Sequence, residues 1–253
     1  MKFCKAHLGV QKQTSNIGIL LELGAVPIMF YGVKNCIKNW DRIHNKCEAN
    51  EIVLKIHHMA CELNLPWPLM AKNKLESVDI APESDIQNIH IVTFKNLTEK
   101  FHQESFEQIS SEQSKLRTYS KLKTERGMEE YLNSVKNIGD RTALTKLRLS
   151  NHTLMIEKGR HQGLQENERL CPFCENKVEN EHHFVMECNT FNSFRQNLFD
   201  DVMEINNIFN SLNDNEKFIF LLSKPETGGI MSEYLHRTLH IRNFLLENHK
   251  QNG

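Results

Sequence analysis

The sequence predicts an all-α protein whose last part is built around a small zinc module. Three observations carry that expectation. Apolar residues recur at three- and four-residue spacing over most of the chain, and strand-like alternation is rare. Ser, Asn, Gly and Pro fall where helices would start and stop. Residues 171 to 188, CPFCENKVENEHHFVMEC, place three cysteines and a histidine at metal-ligand spacing.

The elements follow in order. Thr14, Ser15 and Asn16 offer N-caps for a short helix through Glu22, which Gly24 can end. Pro27 suits the first turn of the next helix, where Met29, Phe30, Val33, Cys36, Ile37, Trp40 and Ile43 make one stripe. Ile52, Val53, Ile56, Met59, Ala60 and Leu63 make another, read as core packing. The turn Pro66-Trp67-Pro68 is expected to stop that helix and set a boundary near residue 65. Residues 69 to 85 have no clear period and read as a connection. A long helix follows from Ile86 to Phe106. Beyond the metal segment, Phe191 to Ile205 and Tyr234 to Leu245 read as helices, with an apolar run at Phe218 to Leu222 and a break from Pro225 to Gly229.

The metal segment reads C-x2-C-x8-H-x4-C through Cys171, Cys174, His183 and Cys188. A two-residue gap lets one tight turn present both sulfurs to one ion, and three thiolates with one imidazole suit a borderline-soft tetrahedral Zn2+. Spacing alone leaves the choice between His182 and His183 open. A redox pair or buried free thiols are the alternatives, and neither needs the downstream His and Cys. Four ligands with no vacancy make one closed, structural zinc rather than a hydrolytic centre. Such a site contributes on the order of 10 kcal/mol, comparable to a whole domain's stability, so the segment is not expected to fold without its ion.

Composition narrows the setting. At 253 residues, 39% hydrophobic and 25% charged, the chain has the makeup of one large or two modest globular domains, which excludes a disordered chain. The apolar run from Ile17 to Phe30 is broken by Glu22, Gly24 and Pro27, so no membrane insertion or export is expected. Seven cysteines without a secretory signature point to a reducing intracellular setting, nuclear or cytoplasmic.

Charge is uneven. Residues 111 to 161 carry 11 basic and 6 acidic groups, and residues 162 to 253 carry 8 and 14. The basic stretch interleaves Lys115, Arg117, Lys121, Lys123, Arg141, Lys146, Arg148 and Arg160 with Tyr119 and Tyr131. Cations neutralise phosphates and aromatic faces stack on bases, so this segment is the candidate surface for RNA or an RNA/DNA hybrid. Solvated amphipathic helices would look the same. The acidic end is the candidate face for a protein partner.

The runs KLRTYSKLK (Lys115 to Lys123), YLNSVKN, LTKLRLSNHTLMIEKGRHQG and ERLCPFCENKVENEHHFVMEC together resemble the C-terminal region of LINE-type, non-LTR retrotransposon reverse transcriptases. The opening KFCKAHLGVQKQTSNIGILLELGAVPI is similar to the thumb that follows the polymerase palm in the same family. The resemblance implies a thumb-like helical region at 1 to 65, a connection and long helix at 66 to 110, and a basic helical segment with zinc module at 111 to 253. It favours His183 as the fourth ligand, through Glu181, His183 and Phe184. It also implies RNA-facing or core-supporting roles for Arg148, Ser150 and His152, and for Glu157, Gly159 and Arg160. The upstream carboxylate motifs of a polymerase are missing, and Asp200-Asp201 has Leu198 where an aromatic residue belongs. The expectation is a non-catalytic nucleic-acid-binding remnant.

Overall fold

A computed structural model describes residues 1–46, 51–82, 86–111 and 114–251. The chain forms two compact units, Met1–Gly24 with Gln108–Gly253, and Ala25–Glu107. Among the described residues the regular structure is helical, with only isolated bridges at Leu23–Met128 and Leu170–Val178. No described helix is long and apolar enough to cross a membrane.

The larger unit begins with α1 (Lys2–His7) and α2 (Asn16–Glu22). Ser15 caps α2 by accepting from the Gly18 N–H, and Gly24 turns the chain at φ +58°. At that point the backbone runs against Gly127 and Met128. A Cβ on Gly24 would lie 2.3 Å from the Met128 nitrogen, a backbone atom that has no room to yield. Gly24→Ala is therefore expected to lower stability by roughly 1–3 kcal/mol, from left-handed strain and the clash together. Urea unfolding checks this, and an unchanged midpoint would contradict the close approach.

The rest of this unit comprises α7 (Tyr119–Leu122), α8 (Tyr131–Ser134), α9 (Ile138–Arg148), α10 (Met155–His161), α11 (Asn192–Ile205), α12 (Asp214–Ser223) and α13 (Gly228–Gln251). Asn137 caps α9 through the Gly139 and Asp140 N–H groups. Asn213 and Glu216 form a reciprocal capping box on α12. α13 packs along α9, α11 and α12. Their apolar faces meet in a core that includes Leu144, Leu147, Phe184, Phe191, Val202, Leu221 and Leu235. Cys171, Phe184, Val185, Met186 and Cys188 belong to this core, so the metal segment is anchored in the unit at both ends.

The smaller unit comprises α3 (Met29–Lys46), α4 (Ile52–Glu62), α5 (Pro66–Glu76) and most of α6 (Ile89–Ser110). Val33, Ile37, Leu75, Val78, Ile80, Ile89 and Leu97 form its core. Two expectations are corrected here. The Pro66-Trp67-Pro68 turn opens α5 instead of closing a helix into a connection. First-turn N–H groups have no intrahelical acceptor, so both prolines fit there at no cost. It is Asn64, at φ +50°, that ends α4. The stripe on α4 is also not core. Ile52, Val53, Ile56, Met59 and Leu63 are exposed, while His57 and Ala60 are buried. The aromatic rings of Trp40 and Trp67 lie on the His57 side and select that face.

Candidate metal centre

Cys171 and Cys174 are presented by a tight knuckle. The Cys171 N–H donates to the Lys177 carbonyl at 2.8 Å, and the Glu175 N–H donates back to the Cys171 carbonyl at 2.8 Å. Glu175 takes a left-handed φ of +58°, which lets the turn reverse. His183 opens a π-helical turn, His183–Glu187, that delivers Cys188 to the same point. The four candidate ligand atoms lie within 4.8 Å of one another. Cys188 Sγ is 3.9 Å from Cys171 Sγ and 3.7 Å from Cys174 Sγ. A tetrahedron with the ~2.3 Å bonds of thiolate to zinc has edges of about 3.8 Å, so the sulfurs already stand at coordination spacing.

His183 rather than His182 joins the cluster. Its ring is the one that stands with the three sulfurs, all four donors lying within 4.8 Å of one another, and its Nδ1 lies 3.4 Å from Glu187 Oε2. That is the arrangement of a ligating imidazole oriented through its other nitrogen. His182 turns away, with Nδ1 3.0 Å from Glu187 Oε1 and its ring against Phe218. The hydrogen bond from Cys171 holds the Cys188 thiol well below its usual range and pushes Cys171 up, and the bond to Cys188 raises His183. Such crowding of thiols around one point is what a cation relieves. The group can hold one metal ion.

Buried ion pairs fix the knuckle in place. Glu179, 1% exposed, receives two hydrogen bonds from Arg242 on α13 at 2.6 and 2.5 Å, and another from the Met155 N–H at the start of α10. Arg195 on α11 donates to the Cys188 carbonyl at 3.1 Å. Arg169 spans the loop by donating to the Leu164 and Ile156 carbonyls. Its stem passes so close to Gly159 that a Cβ there would meet Arg169 Cγ at 2.6 Å.

The residues read as a basic surface are distributed quite differently. Arg148 is fully buried and donates to Glu22 (2.8 Å), Glu129 (2.6 Å) and the Leu222 carbonyl (2.5 Å), with its guanidinium against the rings of Tyr119 and Tyr131. Tyr119 has no exposed surface. Lys123, 4% exposed, binds Glu129 and the Gly127 carbonyl, both at 2.6 Å. Arg117 bridges Glu157 (3.1 Å) and Glu181 (2.9 Å), Arg160 holds the other oxygen of Glu157, and buried His152 lies 2.9 Å from Glu181. Burial pushes the Glu181 carboxyl up, but the His152 hydrogen bond and the charges of His152 and Arg117 hold it down to about 2.

As a nucleic-acid contact set, then, Tyr119, Lys123 and Arg148 are displaced to the interior, and Arg117, His152 and Arg160 are engaged by carboxylates. The physical reason is that Glu22 and Glu181, from outside the basic stretch, fold onto it. Without those partners the guanidinium of Arg148 would be an uncompensated buried charge. Of the remaining cations, Lys121 is on the surface and Lys115, Arg141 and Lys146 are half-buried. Arg141 donates to the Val135 carbonyl, Lys115 donates to the Gln13 carbonyl, and Lys146 borders a groove. The acidic end is likewise partly consumed inside the fold, by Arg242 and Arg117, while Lys177 pairs with Glu187 at the surface.

Two grooves adjoin, sharing Gln11, Asn151, His152 and Thr153. One, of about 300 Å³, is bordered by Lys115, Lys158, Arg160 and His161. The other, of about 370 Å³, is bordered by Lys146, His236 and His240. The single carboxylate lining either one is Glu157, already shared by two arginines. Neither groove was legible as such, because the walls of each come from distant segments, Gln11 to His161 in one and Gln11 to Asn243 in the other. No protein-family model, curated protein or solved structure matches this chain.

Proposed function

We propose that this chain is a zinc-stapled helical module that binds nucleic acid along the paired grooves, with no catalytic step of its own, and that its motif order reflects kinship with the C-terminal region of LINE-type reverse transcriptases. The observation that carries the binding role is the residual charge of the grooves. After the buried ion pairs are made, Lys115, Lys146, Lys158 and His161 still border them, and Glu157 is already neutralised. Burial and then the nearby charge of Arg160 push the Lys115 ammonium down, partly offset by Glu157. The ligand set and sulfur spacing support zinc as the ion. Asp200 and Asp201 are exposed on α11, with Asp200 accepting from Gln196, which is the setting of a helix surface.

The test is a fluorescence-anisotropy titration with single-stranded RNA and an RNA/DNA hybrid at two salt concentrations. Binding is expected to weaken with salt. The triple variant Lys115→Ala, Lys146→Ala, Lys158→Ala is expected to lose on the order of tenfold or more in affinity, with a shallower salt dependence. An affinity indifferent to salt and to these lysines would leave a zinc-stapled protein-interaction module as the reading.

A further inference from the structure

The smaller unit brings two histidines and a cysteine side by side. His44 near the end of α3 and His57 on α4 face each other with their Nε2 atoms 2.7 Å apart. Cys61, one helical turn beyond His57, places its Sγ 3.5 Å from the same His57 nitrogen. His57 to Cys61 is an i, i+4 step, so both donors project from one face of α4. The group opens on one side into a cavity of about 280 Å³ that His44, His58, Cys61 and Glu62 line. On the other side Trp40 stacks on His44 at 4.7 Å and meets His57 edge-on at 4.8 Å, and Trp67 lies 5.2 Å from His57.

We propose that His44, His57 and Cys61 form a second transition-metal site for a zinc-class divalent ion, with its fourth position open to the cavity. Two imidazoles and one thiolate suit such an ion, and Zn–N and Zn–S bonds of ~2.05 and ~2.3 Å require an N–S edge of about 3.6 Å, close to the distance present. The two nitrogens need to part to about 3.3 Å, which replaces an N–H···N contact by two N–metal bonds. The ion displaces the Cys61 thiol proton to solvent, and His58, Glu62 or a water completes the shell. Zinc here would reinforce a second feature. α4 buries His57 while Ile52, Val53, Ile56 and Met59 on the same helix stay exposed, and a bond to the ion would add to the Trp40 and Trp67 contacts that select the buried face. The site is independent of the nucleic-acid reading.

The test uses the full-length chain and its tryptophans. The chain has 2, Trp40 and Trp67, and both flank this site. Apo protein titrated with Co2+ is expected to give two tetrahedral ligand-field transitions per chain, one accompanied by a change in tryptophan emission. The emission change should persist in Cys188→Ser and disappear in His57→Ala and Cys61→Ser. Zinc content should fall from two per chain to one in each of those three variants. A single equivalent in the unsubstituted chain with unresponsive tryptophan emission overturns the proposal, and that readout does not depend on any variant folding. Two equivalents with unresponsive emission overturn it as well, since the second ion would then lie elsewhere.

Discussion

Replacing Arg148 by methionine is expected to destabilise the larger unit by about 3–5 kcal/mol, a large share of a domain's net stability. Arg148 and Glu22 both have no exposed surface, so removing the cation leaves a buried carboxylate facing Tyr131 and no counter-charge. Glu129 loses a partner as well, though it is part-exposed and keeps Lys123. The double variant Arg148→Met, Glu22→Gln is expected to recover part of the loss, because the charge that needed Arg148 is gone. Lys121→Met, on an exposed side chain in the same basic stretch, should stay within about 0.5 kcal/mol. Urea midpoints at constant slope measure all three. If Arg148→Met behaved like Lys121→Met, the buried network would not be present in solution.

Removal of the metal is expected to have a still larger effect. A closed zinc site contributes on the order of 10 kcal/mol of apparent binding free energy, against a typical total of 5–15 kcal/mol for a folded domain. Here the ligands Cys171 and Cys188 are 1% exposed and packed among Phe184, Phe191 and Leu198. Two buried thiols and the half-buried Cys174 would have to repack without their ion. Chelation, or Cys188→Ser, should therefore abolish the cooperative thermal transition of the larger unit. The reporter is near-ultraviolet tyrosine circular dichroism. Tyr119, Tyr131 and Tyr234 are all buried in this unit, and both tryptophans belong to the other. An unchanged melting transition in excess chelator would show that the cysteines are ordinary core residues.

The two predictions concern interactions of very different visibility in the sequence. Cys171, Cys174, His183 and Cys188 lie within 18 residues, and their spacing is set by the geometry one ion demands of a short chain. The choice of His183 over His182 needed more than spacing, since adjacent residues on a helical turn point about 100° apart and only the direction of the π-turn decides between them. Arg148, by contrast, reads in sequence as one cation among many. Its partner Glu22 is 126 residues away, and Arg117 finds Glu181 across 64.

The sequence by itself determined that the chain is helical, where α2 starts and stops, and which short segment can hold a metal. These follow from local caps, glycine conformations and apolar periodicity, all of which act within a few residues. Only the tertiary structure decided which basic residues are surface and which are core, and which face of α4 is buried. A lysine or arginine carries the same charge in either place. Whether it meets water or a carboxylate depends on which distant segment packs over it, and no local pattern encodes that.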